Sequence, residues 1–120
     1  MSYRECDPNV IKKQIGLWSW ASLGIKYSVI LKESDADDGA YVVGLQLVLK
    51  HGRLIEIRLM FDDTYEIKYR RIIQRGALRG QVVEMAYFEG VYADSLSRMV
   101  EDRYLVEVEA WHKSRSLEKA

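Results

Sequence analysis

Few residues in this sequence have the types and spacing that catalysis requires. The two histidines, His51 and His112, lie far apart, and neither belongs to a recognisable Ser/His/Asp or Cys/His pattern. Nothing beside Cys6, the single cysteine, indicates a lowered thiol pKa. The chain contains no G-x-S-x-G, H-E-x-x-H or C-x-x-C sequence and no Gly-rich phosphate loop. The sequence therefore predicts no catalytic residue, no cofactor and no enzymatic activity.

An aspartate-rich segment offers the only metal-like spacing. Asp35, Asp37 and Asp38 precede Gly39, but the spacing is one residue short of the calcium-loop pattern. Gln46 stands where that loop needs a bidentate glutamate. We therefore interpret the segment as a polar turn and predict no metal site.

A basic segment suggests contact with nucleic acid. Twelve consecutive residues hold five cations and no acid, with Tyr69 among them. Arginine side chains on a strand and its hairpin loop suit a phosphate backbone. Against this interpretation, the whole chain is not basic, and Glu56, Glu66 and Glu84 on neighbouring strands could neutralise the segment. The candidate residues are Lys68, Arg70, Arg71, Arg75 and Arg79.

Apolar residues outside the expected core indicate a protein interface. Leu17, Trp20 and Leu23 lie off the apolar stripe of the first predicted helix. The mixed face of the predicted sheet adds further apolar side chains, namely Val42, Val48, Leu54, Met60, Val82 and Phe88. These residues either contact a partner or a second copy, or lie under a loop or under the C-terminal segment with Trp111. Trp111 is itself an interface candidate.

The element that must position these residues first is an N-terminal helix over 7–24. Asp7 is a suitable N-cap, Pro8 suits the first helical position, and Gly24 is a suitable stop. At about 100° per residue, Trp18 falls on the core stripe and Trp20 lies roughly half a turn away. An unbroken helix therefore predicts Trp18 inside and Trp20 outside.

Alternating apolar and polar residues predict five strands between residues 26 and 89. Short turns separate them, including the aspartate-rich segment, His51-Gly52 and Asp62-Asp63. Such short connections favour an antiparallel meander with one strongly apolar face and one mixed face.

The chain after Gly90 predicts a C-terminal helix over 92–113, or a shorter helix followed by an extended segment. Leu96, Met99 and Val100 have helical spacing, whereas Val106 and Val108 also alternate as in a strand. The two amphipathic helices are the available cover for the apolar sheet face. We therefore predict an α+β fold with both helices on one face of the sheet.

Length and charge limit the classes of protein that fit. The 120 residues suit a single domain, 1–120, and the 18 basic and 18 acidic residues give a formal net charge of zero. No global field therefore attracts nucleic acid or an anionic membrane. No apolar stretch reaches the roughly 18 residues of a membrane span, and no signal peptide is visible. These features predict a cytoplasmic protein without membrane contact.

Three segments resemble a family of small bacteriophage and prophage proteins of unknown function. They are KKQIGLWSWASLGIK, DDTYEIKY and GVYADSL, and the resemblance extends from about Ile11 to Leu105. The matching positions are Gln14-Ile15-Gly16, Trp18, Leu23-Gly24, Asp63-Thr64-Tyr65, and Val91-Tyr92 with Asp94 and Leu96. Trp20 has no counterpart in that pattern, and the segment after Leu105 extends beyond it. The resemblance implies a phage-like context and no activity, cofactor or catalytic residue. If the protein is phage-encoded, its expected location is the cytoplasm of the host cell.

The sequence thus favours a small, non-catalytic accessory protein of bacteriophage type that binds another protein or itself. A nucleic-acid-binding protein that uses the basic hairpin at 68–79 is the alternative.

Overall fold

The computed structural model describes residues 3–35 and 39–101. Two short helices come first, α1 (Pro8–Ile15) and α2 (Leu17–Ser22). Five strands follow, β1 (Ile25–Asp35), β2 (Gly39–Leu49), β3 (Arg53–Leu59), β4 (Tyr65–Ile72) and β5 (Val82–Val91). A 3-10 turn, Ala93–Ser95, leads into helical residues 96–101, labelled α3. Trp111 and the remainder of the predicted 92–113 segment lie outside the described residues.

The strands form one antiparallel sheet in the order β1-β2-β3-β4-β5, which confirms the predicted α+β meander. The alternating pattern predicts these strands correctly because each strand has one face that must be buried. Leu45, Leu47, Ile57 and Ile67 lie side by side on that face and are fully buried.

Residues of the N-terminal helical segment and of α3 cover the apolar face of the sheet. The core includes Ile11 and Ile15 from α1, Leu23 just after α2, and Leu96 and Val100 from α3. The α1 helix begins as predicted, because the carboxylate of Asp7 accepts a hydrogen bond from the backbone of Asn9 and Pro8 occupies the first turn.

The prediction of one continuous N-terminal helix is wrong. Gly16 has φ 87° and ψ 152°, well outside the helical range, and it separates α1 from α2. Because this break resets the helical phase, the stripe through Ile11 and Ile15 does not continue to Trp18. Trp18 is exposed, whereas Trp20 packs against the core, the reverse of the predicted orientations.

A β-bulge overturns a second prediction, the assignment of Phe88 to the mixed sheet face. The β4–β5 register shifts between Tyr69 and Arg70, so the alternation of β5 changes face near Met85. Phe88 lies opposite Ile67 and makes an edge-to-face contact with Tyr69, both of which are core residues. Tyr87 lies on the polar face instead, opposite Lys68.

Candidate protein-interaction site

The α2 helix presents two large apolar side chains to solvent. Leu17 is 84% exposed and Trp18 is 86% exposed, the two highest values among the exposed large hydrophobic residues of the described chain. Exposed apolar residues on folded proteins usually occur singly. Here a leucine and a tryptophan are exposed next to each other, and such a pair forms an apolar site that a partner can bury. We refer to this pair as the α2 surface.

The opposite side of α2 is fixed to the body of the protein. Ser19 is buried, and its hydroxyl is 2.6 Å from that of Ser97 in α3. Trp20 packs against the core, with the Lys12 ammonium 5.6 Å from its ring centroid. This anchoring holds the α2 surface on a supported helix, so a partner need not order the segment on binding.

The predicted interface residues divide between the surface and the core. Leu17 is exposed as expected, but Leu23 is only 1% exposed and belongs to the core. Its prediction as an interface residue is therefore wrong. Trp20 is half-buried and packs against the core, and Trp111 lies outside the described residues. Helical periodicity does not predict the exposure of Trp18, although Gly16 is the residue at which the helix could break and turn that side chain outward.

The remaining apolar candidates on the mixed face form no continuous exposed surface. Leu54 is buried, and Val42, Val48 and Met60 are half-buried. Val82 is exposed at the edge of the sheet.

The basic hairpin is split between two environments. Lys68 and Arg70 lie on the polar face of β4, where Lys68 Nζ is 3.6 Å from Glu66 and Arg70 is 3.5 Å from Glu56. Both acids are 4% exposed. These two cations of the predicted nucleic-acid site therefore take part in an ion-pair network within the protein.

The other three cations of the hairpin are exposed. Arg71 lies opposite Val83 on the other side of the sheet, and Arg75 and Arg79 lie in the loop between β4 and β5. None of the three has an ion-pair partner among the described residues.

Glu56 is the centre of one half of the ion-pair network on the polar face of the sheet. It accepts hydrogen bonds from Gln46 and Arg58, both at 2.9 Å. Burial alone would raise the pKa of Glu56, but the hydrogen bond and charge of Arg58, together with Gln46 and Arg70, lower it below its usual value. Glu56 is therefore held as a carboxylate.

Glu66 is the centre of the other half, and it ties the N-terminal segment to the sheet. The Tyr3 hydroxyl lies 2.9 Å from both carboxylate oxygens of Glu66, and the Tyr87 hydroxyl lies 3.1 Å from one of them. The Tyr3 ring also packs under the Arg58 guanidinium, 5.6 Å away. Burial raises the pKa of Tyr3 to about 12, with further contributions from the hydrogen bond to Glu66 and its charge. Partial burial and the same carboxylate also raise the pKa of Tyr87.

This arrangement predicts a loss of stability at alkaline pH. Because the pKa of Tyr3 is raised from 10.0 to about 12, its contribution is complete below about pH 10 and disappears as the pH rises through 12. Melting temperatures measured from pH 8 to 12 should fall steeply above about pH 10. Tyr3→Phe should melt lower at neutral pH, by the equivalent of about 1 kcal/mol, and should show a smaller alkaline decrease. An alkaline decrease as large as that of the parent protein would contradict this assignment. Tyr92→Phe, at an exposed position, is the control.

Cys6 and the potential metal ligands are the other groups that could carry chemistry. Burial raises the pKa of the Cys6 thiol to about 11, with the charges of Asp7 and Glu5 adding to the effect. Residues 3–35 and 39–101 hold no group of three or more His, Cys, Asp or Glu side chains able to share a metal ion. Within the same ranges, no helix combines the length and the apolar character needed to cross a bilayer.

Comparison of the chain with protein-family models, with curated proteins and with solved structures found no match in any of the three.

Proposed function

We propose that this protein is a small, non-catalytic accessory protein of bacteriophage type that binds another protein through the α2 surface. The exposure of Leu17 and Trp18 side by side on an anchored helix is the observation that supports this function. Tryptophan is the side chain most enriched at the energetic centres of interfaces.

The free energy expected from burying the α2 surface is large enough to support binding of a partner. Burying roughly 200 Å² of a tryptophan side chain at about 25 cal/mol per Å² contributes up to ~5 kcal/mol before the costs of association. Leu17 would add an adjacent apolar contact on the same turn. The fold itself gains little from either side chain, because neither is packed in the core.

A pull-down from bacterial lysate tests the proposal. The tagged full chain, a Leu17→Ala/Trp18→Ala variant and a Phe61→Ala variant should be compared with nuclease present. Phe61 is also exposed but lies in the turn after β3, so it controls for lost surface hydrophobicity. We expect a specific protein to be captured by the parent and by Phe61→Ala and lost from the α2 variant. Equal capture by all three would contradict the proposal.

Nucleic-acid binding is the second candidate function. Three exposed arginines, Arg71, Arg75 and Arg79, support it, because they have no carboxylate partner among the described residues. Three phosphate contacts predict that the logarithm of affinity falls with the logarithm of salt concentration with a slope of about −2.7.

Removing two of these contacts should make that salt dependence much weaker. For Arg75→Ala/Arg79→Ala, the slope measured by fluorescence anisotropy should shrink by about 1.8 with double-stranded and by about 1.4 with single-stranded oligonucleotides. Lys26→Ala/Lys32→Ala, two exposed cations of β1, is the matched control. Absence of binding at low salt would exclude this second function.

A further inference from the structure

The turns of the meander place basic and acidic residues at opposite ends of the sheet. In an antiparallel meander, alternate connections lie at the same end. The 3-10 turn Lys50–Gly52, which joins β2 to β3, therefore shares one end with the β4–β5 loop that carries Arg75 and Arg79. The β3–β4 turn, with Asp62 and Asp63, lies at the opposite end. The formal net charge of zero therefore does not exclude a strongly basic surface at one end.

The β2–β3 turn and the β4–β5 loop are in direct contact. A Cβ atom at Gly52 would lie 2.7 Å from the carbonyl oxygen of Ile72 and 3.1 Å from the side-chain nitrogen of Gln74. The loop is itself closed by backbone hydrogen bonds, in one of which the amide of Gly80 donates to the carbonyl oxygen of Ile73 at 2.8 Å. The two segments therefore form one continuous surface that a ligand need not order on binding.

Four exposed cations lie on this surface, which we call the basic end. They are Lys50, Arg71, Arg75 and Arg79, and none of them has an ion-pair partner among the described residues. Lys50 lies outside the hairpin segment 68–79, and the contact between the turn and the loop is what brings it beside the arginines. Lys26, on β1, is separated from the loop by β2 and β3 and lies outside the basic end.

Two acids lie toward the same end of the sheet. Glu84 is exposed and lies opposite Arg70. Glu101 is half-buried and follows Met99, whose carbonyl oxygen accepts a hydrogen bond from Tyr69. Neither acid forms a salt bridge with a cation of the basic end within the described chain. Because four cations outnumber these two acids, the basic end keeps a positive charge.

The chemistry of the basic end suits the backbone of a nucleic-acid duplex. Double-stranded DNA carries one negative charge per about 1.7 Å of its axis, and arginine forks match phosphate oxygens. Surfaces that hold single strands instead stack the bases on aromatic side chains. Residues 50–53 and 71–81 contain no Trp, Tyr or Phe. The basic end therefore offers phosphate contacts without a stacking platform.

We propose that the basic end binds the phosphate backbone of double-stranded nucleic acid, without reading its sequence, through Lys50 together with Arg71, Arg75 and Arg79. The inference rests on the second candidate function, nucleic-acid binding. It names the duplex as the ligand and adds the β2–β3 turn to the site. It does not depend on the α2 surface.

Fluorescence anisotropy of the full chain with a labelled DNA duplex tests the inference. Four phosphate contacts predict a slope of about −3.6 for the logarithm of affinity against the logarithm of salt concentration, compared with about −2.7 for the three arginines alone. Lys50→Ala should therefore reduce the slope to about −2.7. Lys32→Ala is the matched control, because Lys32 is exposed on β1 opposite Val42, and it should leave the slope unchanged.

The nature of the ligand is tested with two further probes. A duplex of unrelated sequence should bind within about twofold of the first, because phosphate contacts carry no sequence information. The corresponding single strand should bind less tightly than the duplex. Tighter binding of the single strand, or a strong preference for one duplex sequence, would overturn the inference.

The slope also separates failure of the inference from failure of nucleic-acid binding itself. A parent slope near −2.7 that Lys50→Ala leaves unchanged would overturn the inference and would leave binding by the three arginines intact. Absence of duplex binding by the parent at low salt would exclude both. Equal melting temperatures of the parent and Lys50→Ala would show that the substitution leaves the fold intact.

Discussion

Replacing Gly44 by alanine should destabilise the protein by about 3 kcal/mol, the upper end of the usual cost of overpacking. Gly44 lies in the middle of β2, opposite Arg58 of β3. A Cβ atom at this position would lie 1.9 Å from the carbonyl oxygen of Ile57 and 2.9 Å from the Cα of Arg58. Both atoms belong to the backbone, so relief requires that the two central strands separate rather than that a side chain rotates.

Urea denaturation of the full chain measures this effect, with Ala40→Val as the control. Ala40 lies on the same strand but is exposed, so the larger side chain should change the free energy of unfolding by less than about 0.5 kcal/mol. A Gly44→Ala midpoint equal to that of the parent would show that β2 and β3 do not approach as described.

Replacing Glu56 by glutamine should lower the free energy of unfolding by about 2–3 kcal/mol. The carboxylate is 4% exposed and accepts from Arg58 and Gln46 while it pairs with Arg70. Glutamine keeps the shape but removes the negative charge, which leaves two partly buried guanidinium groups without their counter-ion. The loss should be measurable as a lower denaturant midpoint at neutral pH.

The matched control for that substitution is Glu84→Gln. Glu84 lies opposite Arg70 on the same sheet face but is exposed, so its loss should cost less than about 0.5 kcal/mol. Equal effects of the two substitutions would mean that burial of Glu56 has no energetic consequence.

The strands could be predicted from the sequence because their burial repeats every two residues. The positions of Trp18 and Phe88 could not, because each depends on one irregularity in the backbone. Gly16 breaks the first helix and resets its phase, and a bulge near Met85 exchanges the faces of β5. Single-residue irregularities of this kind follow from tertiary packing rather than from local periodicity.

The candidate sites show the same division between local pattern and tertiary structure. The acids Glu56 and Glu66 could be anticipated as neutralising groups, because strand alternation puts them on the face of Lys68 and Arg70, and the ion pairs confirm this. The exposure of the α2 surface could not be predicted without knowing that the helix breaks at Gly16. The resemblance to phage proteins, the absence of catalysis and the binding function stay predictions.

The most direct test of the central claim is the affinity of the captured partner for the α2 variants, measured by isothermal titration calorimetry. Trp18→Ala should raise the dissociation constant at least about 30-fold, which corresponds to ~2 kcal/mol at an interface hot spot. Phe61→Ala should keep the dissociation constant within about threefold, since a peripheral truncation costs little. A Trp18→Ala protein that binds the partner as tightly as the parent would contradict the assignment of α2 as the binding surface.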